Sequence, residues 1–436
     1  MKNNYFRPVL SIICLFFACS LVQGQRQKLQ VDQDRLEKRI FDLAKFGLQE
    51  NGETERVAFS DADVEAQQWL VRQLEAWGLS VHIDFAGNII GRKKGKKAGL
   101  KPISFGSHID RVPNGGNYDG CVGSMASLEV LEVLHENNVT TKHPLEIIIF
   151  SNEEGGVMGS RAIAGHLGKD ALNVMNSTGY SMGEGIMRLG GDTTRIAEVA
   201  RQKDDIAAFL ELHIEQGGTL EKERLQIGIV EGIVGLKWWE VEFTGFSNHA
   251  GTTPMNARQD ALLAAAKFIV AVNETVTGFE GAQVSTVGQI KAEPGAPNVI
   301  PGKVITSLEI RDLSSEVITQ VFDAIKKRGE AIARSSNVQI EFRPLDTTAD
   351  PAIMTAAIQD EIATAAENLG LSTKRMPSGA GHDAQDMALI APTGMIFVPS
   401  RGGISHSPKE FTSAEDMANG ANVLLHTILA LDKKLK

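Results

Sequence analysis

The residues best equipped for chemistry sit in short stretches scattered along most of the chain. Residues 105–123, FGSHIDRVPNGGNYDGCVG, carry His108, Asp110 and Asp119. The apolar run Ile103-Ser104-Phe105 precedes them, and a loop rich in Gly, Asn and Pro leads to Asp119, where helix-forming residues begin. An α/β sheet presents ligands in this way, on loops beyond the carboxyl ends of its strands. Farther on, Glu153 and Glu154 follow the apolar run LEIIIF at 145–150, His213 lies near the end of FLELHI at 209–214, and His406 follows a short strand at 395–398. Three imidazoles and three carboxylates, each just past a strand, suit a pair of divalent ions bridged by one carboxylate. Two such ions ~4 Å apart lower the pKa of a water between them and polarise a carbonyl under attack. One carboxylate must stay off the ions, to accept the water's proton and pass it to the leaving nitrogen.

The elements that must position these groups follow from periodicity and punctuation. Residues 27–48 read as a helix, and a second helix, capped by Asp61, runs to Trp77 before Gly78. Strands are expected at 80–83 and 88–91. A helix over 124–136 packs Met125, Leu128, Leu131 and Leu134, and the strand at 145–150 is apolar nearly throughout, as a central parallel strand should be. From about Gly232 the pattern changes: strand 237–244, helix 257–272, strands 283–290 and 303–310, helix 315–334 and strand 338–342. That order, β-α-β-β-α-β, is the split pattern of a ferredoxin-like unit. The first pattern then resumes with a helix over 353–369, the strand 395–398 and a closing helix opened by a Thr412–Glu415 capping box. The expected fold is therefore α/β: a discontinuous di-metal catalytic domain with a mainly parallel sheet, at 25–235 and 350–436, and an inserted ferredoxin-like α+β lid or dimerisation domain at 236–349.

With 436 residues the chain is too long for one ordinary core. A net charge of -10 argues against nucleic acid as a partner, because phosphate binding needs concentrated Lys and Arg. Residues 1–24 read as an export signal: Lys2 and Arg7 precede the apolar stretch 9–22, which is short for a membrane span. Periplasmic or secreted localisation follows, with a membrane attachment only if Cys19 is lipidated. Cys121 is then the single thiol of the mature chain, so no internal disulfide can staple it. Beside Asp119 it reads as a packed small residue. His82, His135, His143, His166 and His426 read as structural or solvated, and Trp238 and Trp239 as alternating faces of one strand.

In order along the chain, GSHIDRVPNGGNYDG, SNEEGG, HIEQG, NHAGTTPM, PNVIPG, Arg311-Asp312, SGAGHDA and GGISHSPKE together resemble the M20 metallohydrolases. Within them the chain is similar to the branch of N-carbamoyl-L-amino-acid hydrolases, allantoate amidohydrolases and yeast-type β-ureidopropionases. The resemblance implies that His108, Asp119 and His213 bind one ion and Asp119, Glu154 and His406 the other, zinc first, with manganese, cobalt or nickel as alternatives. It makes Glu153 the general base and acid, and gives Asp110 the outer ring nitrogen of His108. It implies that His249 stabilises the oxyanion from the partner subunit of a homodimer, that Asn298 and Arg311 grip a substrate carboxylate, that Gln216 contacts the ureido group and that His382 lies on the substrate side. Without the motif, Arg311 would read as a surface ion pair. The expected partner is a small ureido substrate bearing a carboxylate. Two rivals remain: a secreted aminopeptidase or dipeptidase on the same scaffold, and a metal-dependent solute-binding protein without catalysis.

Overall fold

The computed structural model describes Met1 and residues 29–50, 52–345 and 349–436. From its second residue onward the expected leader, with Cys14 and Cys19, lies outside the described residues. Among those described, no helix is long and apolar enough to cross a membrane.

Four strands form the parallel centre of the larger sheet: Leu145–Phe150, Ile103–His108, Ala208–Ile214 and Thr393–Val398, side by side in that order. Every residue of all four is buried. That explains why they are largely apolar, since helices cover both faces of such strands. Antiparallel strands flank this centre, Ile89–Lys93 and Ser80–Ile83 on one side and Ile227–Ile233 on the other. Cys121–Glu136 packs against the closing helix Ala414–Lys434 in the core that also takes in Met125, Leu128, Leu131 and Leu134. The fold is thus mixed α/β around a mainly parallel central sheet.

The chain leaves this sheet after Ile233, and a second, antiparallel sheet begins at Gly235. Lys303–Asp312 alternates buried and half-buried residues, as a strand with one covered face must. Helices Ala261–Thr277 and Ser315–Ser335 supply that cover, with Phe243, Phe268, Val304 and Leu308 in the core between. Trp239 is buried and stacked on Phe322 at 4.2 Å between ring centroids, while Trp238, one residue earlier, is exposed. The chain rejoins the first sheet at Ala352–Ile353.

Several expectations are corrected. Ser60, not Asp61, caps Asp61–Ala76, accepting the Asp63 N–H at 3.2 Å. Ser413, not Thr412, caps the closing helix; the Thr412 hydroxyl donates to the Pro399 carbonyl instead. The helix expected over 257–272 spans Ala261–Thr277, because Asp260 caps it with two accepted N–H groups. The strand expected over 283–290 is broken into Val284–Thr286 and Ile290–Glu293, since Gly288 and Gln289 turn their N–H groups to the Ser307 hydroxyl. Strands Ile227–Ile233 and Thr373–Ser378 were not anticipated: glycines interrupt the first, and Pro377 disrupts the pattern of the second.

Candidate metal and catalytic site

Because the four central strands are parallel neighbours, their carboxyl ends open on one edge. They deliver Glu153 and Glu154, His108, His213 and, through a longer loop, His406 to a common place. Asp119 arrives from the loop before Cys121–Glu136 and lies among them. Its Oδ1 is 3.1 Å from His213 Nε2 and 3.7 Å from His108 Nε2, and its Oδ2 is 3.4 Å from His406 Nε2. Glu154 Oε2 is also 3.4 Å from His406 Nε2, and Glu153 Oε2 is 3.5 Å from His108 Nε2. Two groups share Asp119: His108, Asp119 and His213, and Asp119, Glu154 and His406, each with donor atoms within 4.8 Å of one another.

The donor set fits divalent ions. His108 Nδ1 lies 3.1 Å from the Asp110 carbonyl and His213 Nδ1 2.9 Å from the Ile214 carbonyl. A carbonyl only accepts, so each Nδ1 carries the proton and each Nε2 turns its lone pair toward Asp119. His108 Nε2 is buried without a hydrogen-bond partner, a cost that an ion would remove. Gly120 makes room for this ring: its φ is +61°, and a Cβ there would lie 2.3 Å from the His108 imidazole. Gln216 and His406 likewise hold positive φ, the kind of local strain that gathers at sites where geometry is imposed by function.

The electrostatics are those of a cation site. Burial would raise Asp119, yet the influence of the adjacent His213 and His406 imidazoles prevails and holds it well below the usual range. Burial pushes Glu153 well above that range, against the pull of His108, and raises Glu154 to about 7 with Asp119 adding to the effect. Burial alone would lower His108, but Glu153 and Asp110 together raise it well above an ordinary imidazole. The negative field that attracts a proton there is the field that would hold a divalent ion.

The remaining expected residues divide into two groups. Asp110 does orient His108, but with its main-chain carbonyl. Its carboxylate stands 3.6 Å from Nδ1 and instead accepts the Glu153 and Glu154 N–H groups at 3.2 Å each. Gln216 reaches the cluster, its Nε2 donating to Asp119 Oδ2 at 2.6 Å. His382 is buried edge-on to His213, with centroids 4.4 Å apart, and shares a 2.9 Å hydrogen bond with Ser378. Arg311 is gripped by Glu309 through Nε and Nη2 and donates Nη1 to the Gly379 carbonyl at 2.7 Å, which joins the second sheet to a loop of the first. His249 lies on the two-residue strand Asn248–His249, which pairs with Val299–Ile300, and Asn298 immediately precedes the latter. His249 is exposed, and its Nδ1 accepts the Gly251 and Thr252 N–H groups; among the described residues neither side chain is hydrogen-bonded to the cluster.

Three buried acids near the cluster were missed from sequence. Glu211 accepts the Ser107 hydroxyl at 2.7 Å and the Ala384 N–H at 2.8 Å, and Asp383 is buried near it. A lone acid inside FLELHI was the legible signal for Glu211, because acids are almost never fully buried without a partner. Glu410 lies in the same motif as His406, and only the fold shows what it touches.

The chain is similar to known proteins over most of its length. The chain is 40% identical over 406 residues to an N-carbamoyl-L-amino acid amidohydrolase of Geobacillus stearothermophilus, covering 92% of this chain and 99% of that protein. It is 35% identical over 421 residues to an allantoate amidohydrolase of Bacillus subtilis, covering 93% and 99% respectively. The crystal structure of an amidase of the hydantoinase/carbamoylase family from Burkholderia multivorans superposes with a TM-score of 0.86 at 34% identity, over 92% of this chain and 98% of that one. The model of peptidase family M20/M25/M40 matches residues 104–430, which hold every ligand candidate above, and the chain belongs to that family.

Proposed function

We propose that the protein hydrolyses a C–N bond in a linear ureido or carbamoyl compound that bears a carboxylate, with N-carbamoyl-L-amino acids as the first candidates and allantoate as the second. The observation that carries this reading is the pair of three-residue groups sharing Asp119, with the buried Glu153 free of both and 3.5 Å from His108. The similarity to the amidohydrolases above supports the substrate class. For an N-carbamoyl-L-amino acid, water is consumed and the amino acid, carbon dioxide and ammonia are released.

His108, Asp119 and His213 would hold one divalent ion and Asp119, Glu154 and His406 the other. Zinc suits this set first; manganese, cobalt and nickel also fit imidazole and carboxylate donors. Bound there, the ions would supply a lowered water pKa and a polarised carbonyl. Glu153 would accept the water's proton at its carboxylate and return it to the departing nitrogen, a transfer helped by the burial that raises its proton affinity. Arg311 uses three of its five N–H groups on Glu309 and Gly379, which would fix the guanidinium and leave two for a substrate carboxylate. His249, exposed and away from its own chain's cluster, would serve the site of a second subunit, with residues 236–349 acting as lid and dimerisation domain over the catalytic unit 25–235 and 350–436. Export by residues 1–24 completes the reading.

Glu153→Gln tests the central step. The variant should bind two ions as the wild type does and lose turnover by about 10²–10⁴-fold. Unchanged turnover in a variant that binds metal would remove Glu153 from the mechanism.

A further inference from the structure

Asp119 must present its two oxygens to two different groups of ligands, and its loop contains three glycines that allow it to wander. One buried side chain holds that loop. Glu410 is 4% exposed, and its Oε1 accepts the Tyr118 N–H at 2.9 Å and the Asp119 N–H at 3.0 Å. Its Oε2 is 3.1 Å from the Ser405 hydroxyl, which also lies 2.9 Å from Asp119 Oδ2. Ser405 is followed directly by His406, which takes the strained φ of +52°. The Glu410 N–H closes a turn onto the Ser407 carbonyl at 3.0 Å, so the segment carrying His406 is folded back on the carboxylate. Room for this comes from Gly116: a Cβ there would lie 2.1 Å from Glu410 Oε1.

We propose that Glu410 is a positioning residue for both ions, a proposal that rests on the two-ion reading above. It contributes to neither group of ligands, yet its carboxylate ties together residues 291 apart in the chain. One oxygen fixes the main chain of Asp119; the other fixes the hydroxyl that orients the Asp119 side chain and introduces His406. Burying an acid is costly unless donors replace the lost water, and here two N–H groups and a hydroxyl do so. Groups that orient metal ligands in this way typically change metal affinity 10–100-fold when removed.

The test uses full-length protein stripped of metal by chelator and titrated calorimetrically with zinc, with melting of the stripped protein as a separate measure of folding. Wild type should bind two ions. Glu410→Ala should bind both at least about 10-fold more weakly per folded molecule. Glu410→Gln keeps one oxygen for the two N–H groups and should stay within about threefold of wild type, whereas Glu410→Asp, one methylene short, should resemble Glu410→Ala. Ser405→Ala should weaken one ion more than the other, because it frees only the side facing His406. If Glu410→Ala does not fold, the comparison of Gln, Asp and Ser405→Ala variants decides. Wild-type zinc affinity in Glu410→Ala, or in both Glu410→Asp and Ser405→Ala, overturns the proposal even if melting is lowered, because the role is then one of stability alone. A wild type that takes up fewer than two ions overturns the two-ion reading itself, and that result is read before any variant is made.

Discussion

At the scale of residues, steric room and proton position decide what the site can hold. Gly120→Ala would place a methyl against the His108 ring and force a side chain into positive φ. It should weaken zinc binding by at least about tenfold with the remaining fold intact, measured by calorimetry beside far-UV dichroism. A buried acid gives a second prediction. The Asp63 carboxyl, raised to about 7 by burial with Asp110 adding to it, accepts the N–H of Phe59, itself at φ +72°. The unfolded chain releases this proton near pH 4 and the folded chain near 7, so the unfolded state binds fewer protons between those values. Stability from this group therefore falls as pH rises from about 4 to about 7 and is level above. Asp63→Asn keeps an acceptor for Phe59 and removes the titration. Its advantage over wild type should grow from near zero at pH 4 toward about 4 kcal/mol at pH 8, by urea unfolding. An offset equal at both pH values would contradict this. The ligand candidates were legible because His and acid residues past apolar runs are rare and specific in type. The carbonyls of Asp110 and Ile214 that set the imidazole tautomers were not, since every residue has one.

At the scale of elements, the legible parts are those whose two faces differ, or whose faces are both buried. Leu145–Phe150 and Ser80–Ile83 match their expected spans, and Lys303–Asp312 and Ser315–Ser335 extend them by only one or two residues. Ends are harder, because adjacent residues of similar chemistry compete to cap. Ser60 and Asp61 are both good caps by type, and only the backbone shows that Ser60 accepts the Asp63 N–H while Asp61 is an exposed partner of Arg188. Ser60→Ala should cost about 1 kcal/mol in thermal unfolding and Asp61→Ala only a few tenths. A larger loss from Asp61 would return the cap to it. The split of the strand at Gly288 was illegible for a different reason: it depends on Ser307, a residue of the neighbouring strand.

At the scale of the whole molecule, the chain crosses to a second sheet after Ile233 and returns at Ala352–Ile353. Arg311 reaches the first sheet's loop at Gly379 within one chain, whereas His249 stays exposed on its own side. Leu262, Leu263 and Val270 on Ala261–Thr277, with Phe246 and Met255 nearby in sequence, are exposed apolar residues on the part proposed to form the dimer. Leu263→Arg with Val270→Arg should give a monomer in sedimentation that still binds two ions but has lost most turnover. A fully active monomer would remove the partner's His249 from the account. The reaction itself is read out by ammonia release from residues 25–436, loaded with zinc or with manganese. The substrates are a panel of N-carbamoyl-L-amino acids, allantoate and a panel of dipeptides, with Glu153→Ala as control. Release from a ureido substrate, abolished in the control, is the expected result. Silence on every ureido compound, with amino acids freed from dipeptides, would contradict it and make the protein a peptidase.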